Sequence, residues 1–185
     1  MTIDVPHHGE RKPKTVSGVA GMFSETGMFP WYCGDYSRAI DYLMTRGDVD
    51  RTRVGYAGIS WGAITGVVFV AHEPRIRAMA SIVGGGNFLG AIHGEIPEET
   101  REQSRRTDPV YHVALIAPRP LLLLNVTKDQ LVPQFFSEAL HKAAGDGPSV
   151  TKKWVETDHF FTGVDRYAIL DEVVAFMEKG LDVKK

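Results

Sequence analysis

Cysteine is almost absent from this 185-residue chain. Cys33 stands alone, which excludes an intrachain disulfide and any cluster built on cysteine thiolates, and fits a reducing compartment. An excess of charge of one sign is also missing. Lys and Arg total 21 against 23 Asp and Glu, a formal net charge of -2, with no basic stripe and no long like-charge run. Nucleic acid and anionic membrane surfaces are therefore not the expected partners. No apolar run is long enough to cross a bilayer, and the start, Met1-Thr2-Ile3-Asp4-Val5-Pro6-His7, has no basic region followed by an apolar core. Repeats and low-complexity linkers are lacking too. Together these absences predict a soluble, cytoplasmic protein forming one domain over residues 1–185 and handling a small molecule.

What the chain does contain is an alternation of short apolar strands with amphipathic helical stretches. That alternation predicts an α/β fold: a mostly parallel sheet of about five strands covered on both faces by helices. The strands are expected over residues 1–5, 54–59, 78–83, 121–126 and 150–155. The run Leu121-Leu122-Leu123-Leu124 is continuous rather than alternating, as in a strand buried on both faces. Residues 150–155 alternate and carry Lys152 and Lys153, as an edge strand should.

The polar stretch from His7 to about Pro30 reads as loop. Helices are expected over 35–46, 63–71, 133–144 and 167–179, the last turning Leu170, Val173 or Val174, and Met177 inward. Gly84-Gly85-Gly86 interrupts the alternation. After it, residues 96–106 carry both signs of charge at helical spacing, Glu98 with Arg101 and Glu102 with Arg105 and Arg106. Residues 84–115 are therefore expected as a small helical insertion capping the site.

The chemistry concentrates at strand ends. Gly58-Ile59-Ser60-Trp61-Gly62 follows an apolar strand and precedes a helix, where a tight turn would expose the Ser60 hydroxyl. The pentapeptide is weak evidence alone in a chain with 19 glycines. An acid and a base follow it at the ends of the next strands: Thr127-Lys128-Asp129 after residues 121–126, and Glu156-Thr157-Asp158-His159 after residues 150–155. A serine hydroxyl is too weakly acidic to attack an acyl carbon unaided. His159 would accept its proton, and Asp129 would fix the imidazole tautomer and stabilise its cationic form.

Each position has a plainer reading as well. Ser60 also suits a structural turn, Asp129 a helix cap before Pro133, and His159 an ordinary loop histidine, while Asp158 is an alternative acid. His7, His8, His93 and His112 lack ligand spacing, so no metal is expected, and hydrolysis by a serine and a histidine needs no cofactor. Trp31, Tyr32 and Phe88, with Trp61, are candidates to line an acyl pocket, although aromatic residues commonly serve the core.

These residues together resemble the α/β-hydrolase family, in the branch of dienelactone hydrolases, acetyl xylan esterases and prolyl-oligopeptidase-like enzymes. The similarity runs through Ile3-Asp4-Val5-Pro6-His7-His8-Gly9-Glu10-Arg11 and Ala39-Ile40-Asp41-Tyr42-Leu43, then Val49-Asp50-Arg51-Thr52-Arg53-Val54-Gly55 leading to Ser60. It continues with Ile116-Ala117-Pro118-Arg119-Pro120, Asp129-Gln130-Leu131-Val132-Pro133 and Asp158-His159-Phe160-Phe161.

The resemblance implies a serine hydrolase acting on carboxylic esters, with a lactone hydrolase, a peptidase or a catalytically silent interaction module as the other readings. It also places Ile3 to Val5 at the family's fourth strand. The third strand and the loop giving half of the oxyanion hole then lie outside this sequence. The backbone N–H of Trp61 remains as one donor, and the second is unassigned, with His7 to Arg11 or Tyr32 to Gly34 as candidates. The first strand is expected beside residues 54–59, and a second copy is expected to cover the remaining apolar surface in a homodimer.

Overall fold

The computed structural model describes residues 1–3, 10 and 28–183, and the chain divides into two compact units, Met1–Arg51 and Thr52–Lys185. Residues 1–3 form no strand, and the rest of the expected first strand, with the turn through His7 and His8, lies outside the described residues.

In the first unit, helix α1 covers Met28–Thr45. It starts seven residues before the expected position. Pro30 falls in the first turn, where its missing N–H breaks no intrahelical bond, so the proline does not mark a loop. Tyr32 to Gly34 are accordingly helical rather than a loop. Beyond the end of α1, Arg46 grips both carboxylate oxygens of Asp48 at 2.8 and 2.6 Å.

The second unit is a four-stranded parallel sheet, among the described residues, in the order β1 (Val54–Ile59), β2 (Ile76–Ile82), β3 (Leu121–Val126), β4 (Val150–Val155). The all-leucine run takes an inner position, and every residue of β3 is buried. β4 is an outer strand whose Lys152 meets Asp146 at 2.5 Å and whose Lys153 pairs with Glu172. β1 bounds the opposite side, and its Ile59 is 63% exposed.

Helix α2 (Trp61–His72) packs against β1 and β2, and its residues from Ala63 to Val70 are all buried. An apolar helix of this kind is stabilised by burial rather than by amphipathicity. Helix α3 (Glu98–Thr107) falls in the expected insertion and is solvated. Its pairing differs in detail: Arg105 bridges Glu98 and Glu102, whereas Arg101 turns to the carbonyl of Ile96. Reaching Glu98 from Arg105 spans two turns of helix and is accessible to a long guanidinium side chain.

Helix α4 (Gln134–Ala144) follows β3 and helix α5 (Arg166–Gly180) follows β4. α5 packs Ile169, Val173, Phe176 and Met177 onto a core of Ala80, Ile82, Leu122, Leu124 and Val126. Val173 and Met177 of the expected stripe thus face inward, joined by Ile169 and Phe176 in place of Leu170. Leu170 and Val174 are 54% and 46% exposed. An apolar groove of about 190 Å³ remains, lined by Ile59, Ile82, Phe161, Ile169 and Leu170, with Arg166 at its wall.

Candidate active site

Ser60 joins β1 to α2 at φ 52° and ψ -114°, a backbone region that a residue with a side chain occupies only under constraint. The constraint comes from both sides. Its N–H donates to the carbonyl of Ile82 at 2.8 Å, and its carbonyl accepts from Ala63 and Ile64 at 2.9 and 3.0 Å. Gly58 makes the turn possible, because a Cβ there would lie 2.4 Å from the carbonyl oxygen of Gly62. Trp61 is the first residue of α2, so its N–H belongs to the positive end of the helix directly beside the serine.

The chain after β4 turns back through a compact loop that presents His159. Asp158 builds that turn: its Oδ1 accepts the N–H groups of Phe160 at 3.0 Å and Thr162 at 2.9 Å. Hydrogen bonding from Thr162, and then from Phe160, holds the Asp158 carboxyl below the usual carboxylate range. Asp158 is therefore committed to its own loop.

Asp129 is the residue that reaches the histidine. Its Oδ2 lies 2.7 Å from His159 Nδ1, while its Oδ1 accepts the N–H groups of Leu131 and Val132 at 2.9 and 2.8 Å. The cap-like reading and the acid reading of Asp129 thus use different oxygens of one carboxylate. His159 Nε2 lies 2.9 Å from Ser60 Oγ. The imidazole consequently bridges a hydroxyl and a carboxylate, with side-chain exposures of 7% for His159 and 1% for Asp129. Burial on this scale excludes competing water and strengthens both contacts.

Of the expected pocket residues, Phe88 and Trp61 fall in the unit that carries these three, Trp61 directly after Ser60 and Phe88 set apart from it in the chain. Phe88 opens a short 3₁₀ turn, Phe88–Ala91, with its ring 5.1 Å from that of Phe136. Trp31 and Tyr32 lie on α1 of the first unit, where Trp31 is exposed and Tyr32 is buried with its ring 6.5 Å from that of Tyr36. Among the described residues, no three His, Cys, Asp or Glu side chains converge as a metal ion would require.

Two polar clusters escape sequence reading. Asn125, on the otherwise apolar β3, donates to the Gly84 carbonyl at 2.7 Å and to Ser137 Oγ at 2.9 Å, and its own carbonyl meets His141 Nε2 at 2.9 Å. Burial, helped by the charge of Lys152, pushes His141 down to about pKa 4, so the ring is neutral in this network. A lone asparagine after four leucines is the signal that could have found it. The second cluster centres on Asp108, whose carboxylate is buried among backbone N–H groups of its own segment and of the residues that follow β2.

No protein-family model matches the chain. Among curated proteins it is 28% identical to "Putative hydrolase YtaP" of Bacillus subtilis over 98% of this chain and 64% of that protein. It is 31% identical to "Esterase YjfP" of Escherichia coli over 52% of this chain and 43% of that protein. The chain thus spans between about two fifths and two thirds of these relatives' length.

Among solved structures, acetyl xylan esterase 1 from Thermoanaerobacterium superposes with a TM-score of 0.65 at 17% identity, over 90% of this chain and 59% of that one. The α/β hydrolase GrgF from Penicillium superposes with a TM-score of 0.61 at 13% identity, over 83% of this chain and 73% of that one. The chain has the α/β-hydrolase fold.

Proposed function

We propose that the chain is a serine hydrolase that cleaves carboxylic esters of small molecules through an acyl-enzyme, with Ser60, His159 and Asp129 as its catalytic triad. The reading rests above all on one observation: His159 bridges Ser60 Oγ at 2.9 Å and Asp129 Oδ2 at 2.7 Å, with Ser60 on a strained turn.

In the first step Ser60 Oγ attacks the ester carbon as its proton passes to His159 Nε2. Asp129 holds the Nδ1 proton and stabilises the imidazolium. Negative charge gathering on the carbonyl oxygen is met by the Trp61 N–H at the head of α2. The tetrahedral intermediate collapses, and the departing alkoxide takes the proton from His159 Nε2, leaving an ester on Ser60. Water then adds to that ester while His159 Nε2 removes its proton. The second tetrahedral species expels Ser60 Oγ, which recovers its proton from His159.

Residues 84–115 form the wall over the site in this account, and the protein works in the cytoplasm as a homodimer without a cofactor. The exposed Ile59 and Leu170 and the groove between them favour such pairing. Turnover of short p-nitrophenyl esters tests the reading. Wild-type protein is expected to hydrolyse them, and Ser60→Ala to fall to the uncatalysed rate. Equal rates for both proteins would refute it.

A further inference from the structure

The chemistry above leaves Asp108 unused, yet this residue is 3% exposed and its carboxylate is satisfied on both oxygens. Oδ1 accepts the N–H groups of Asn87 at 2.7 Å and Val110 at 3.1 Å, and Oδ2 accepts that of Phe88 at 2.7 Å. Bonds of this kind to an ionised acceptor are among the stronger ones in proteins. Those from Asn87 and Phe88 join positions 21 and 20 residues apart, so one side chain closes the neck of an excursion that contains α3.

The closure is tight. A Cβ on Gly86 would lie 2.8 Å from Asp108 Oδ1, and Asn87 is held in the left-handed region at φ 65°. What Asp108 fixes most directly is Phe88. The Phe88 ring rests 5.1 Å from Phe136, whose ring is 4.0 Å from that of Phe135, and the Phe136 carbonyl accepts the Gly86 N–H at 3.1 Å. Phe135 and Phe136 stand at the start of α4, shortly after Val132, whose N–H donates to Asp129 Oδ1 at 2.8 Å and whose Cγ1 would lie 2.8 Å from a Cβ on Gly85.

We propose that Asp108 is a positioning residue for substrate: through the Phe88 N–H it sets the Phe88 ring as one wall of an apolar pocket. That pocket takes the aromatic or bulky aliphatic acyl group of the ester and gives such substrates preference over acetyl esters. The inference rests on the serine-hydrolase reading above. An acyl group gains affinity from burial against aromatic carbon, and a wall displaced by a fraction of an ångström loses that gain without disturbing the reacting atoms. Asp108→Asn weakens the wall at its anchor, because an amide presents one acceptor and one donor to a site that requires acceptors on both sides.

The test compares p-nitrophenyl acetate with p-nitrophenyl phenylacetate on wild type, Asp108→Asn, Phe88→Ala and the double variant, alongside the rate of Ser60 labelling by a small fluorophosphonate. Each single variant is expected to raise KM for the phenylacetate about tenfold, with kcat and labelling within about threefold and the acetate KM little changed. The double variant is expected to be no worse than the singles, since both act on one wall.

An equal loss of kcat on both esters in Asp108→Asn would overturn the proposal, making the residue a support of the whole site. Unchanged KM, or effects that add in the double variant, would overturn it too. Should Asp108→Asn fail to fold, Phe88→Ala still decides, because an unaltered phenylacetate KM there removes the wall. A wild-type protein that is labelled at Ser60 but indifferent to the acyl group defeats this inference alone. One that is neither labelled nor active defeats the hydrolase reading and this inference with it.

Discussion

Asp129 and His159 lie 30 residues apart in the chain yet share a 2.7 Å contact, and the oxygen of Asp129 that does not face the imidazole is held by two backbone N–H groups. The carboxylate is thus oriented before the histidine arrives. Asp129→Asn keeps an oxygen for Leu131 and Val132 but offers an amide N–H to His159 Nδ1, which favours the wrong tautomer. Ester turnover is expected to fall by about 10⁴-fold with the melting temperature nearly unchanged. Steady-state kinetics beside a thermal melt checks both halves, and a loss below tenfold would contradict the assignment.

Asp158→Asn is expected to behave differently. Its carboxylate serves the turn that carries His159 through the N–H groups of Phe160 and Thr162, and an amide oxygen retains a weaker version of both bonds. A small loss of stability is expected, with turnover reduced far less than in Asp129→Asn. Denaturant unfolding together with kcat separates the two acids.

At Gly58, an added methyl would meet the Gly62 carbonyl oxygen at 2.4 Å, inside the turn that orients Ser60. Gly58→Ala is expected to cost about 3 kcal/mol and to lower turnover as well, because the backbone must open where α2 begins. Urea unfolding and esterase assay on the same preparation measure the two effects.

His141 supplies a pH dependence of stability. Its folded pKa of about 4 is below the ordinary histidine value of about 6.5. Between those values the unfolded chain binds a proton that the folded ring refuses. Stability is therefore complete above about pH 6.5 and falls as pH drops toward about 4. Melting temperatures across that window should decline in wild type and decline less in His141→Gln. Parallel curves would contradict the assignment.

The proposed homodimer is open to light scattering at micromolar concentration. Twice the chain mass is expected, with Leu170→Glu shifting the protein toward monomer, because a charge on this half-exposed position opposes burial against a second copy. A purely monomeric wild type would count against association.

Much of the fold was legible because its signals are local. The continuous leucine run marks β3 as an inner strand, and the glycine-flanked serine between strand and helix marks the turn at Ser60. The three chemical groups fell at strand ends in a readable order, and the structure brings all of them within hydrogen-bond distance.

What stayed hidden depends on tertiary context. Leu170 and Val174 fit a helical stripe as well as Ile169, Val173 and Phe176 do, and only the position of the sheet decides between the two faces. The start of α1 was obscured by Pro30, which breaks a helix interior but not a first turn. Asp108 followed by Pro109 looks like an ordinary helix stop. Its binding of Asn87 and Phe88 is a contact across 20 residues that no local pattern encodes.

If His159 activates Ser60, a fluorophosphonate should react at that hydroxyl, and mass spectrometry of the labelled protein reads the adduct at the residue itself. One phosphonyl group is expected on the peptide carrying Ser60 in the wild-type protein, none on that peptide in Ser60→Ala, and a rate lowered by at least 10³-fold in His159→Ala. No adduct at Ser60 in the folded wild-type protein, or equal labelling rates for wild type and His159→Ala, would mean that His159 does not activate Ser60.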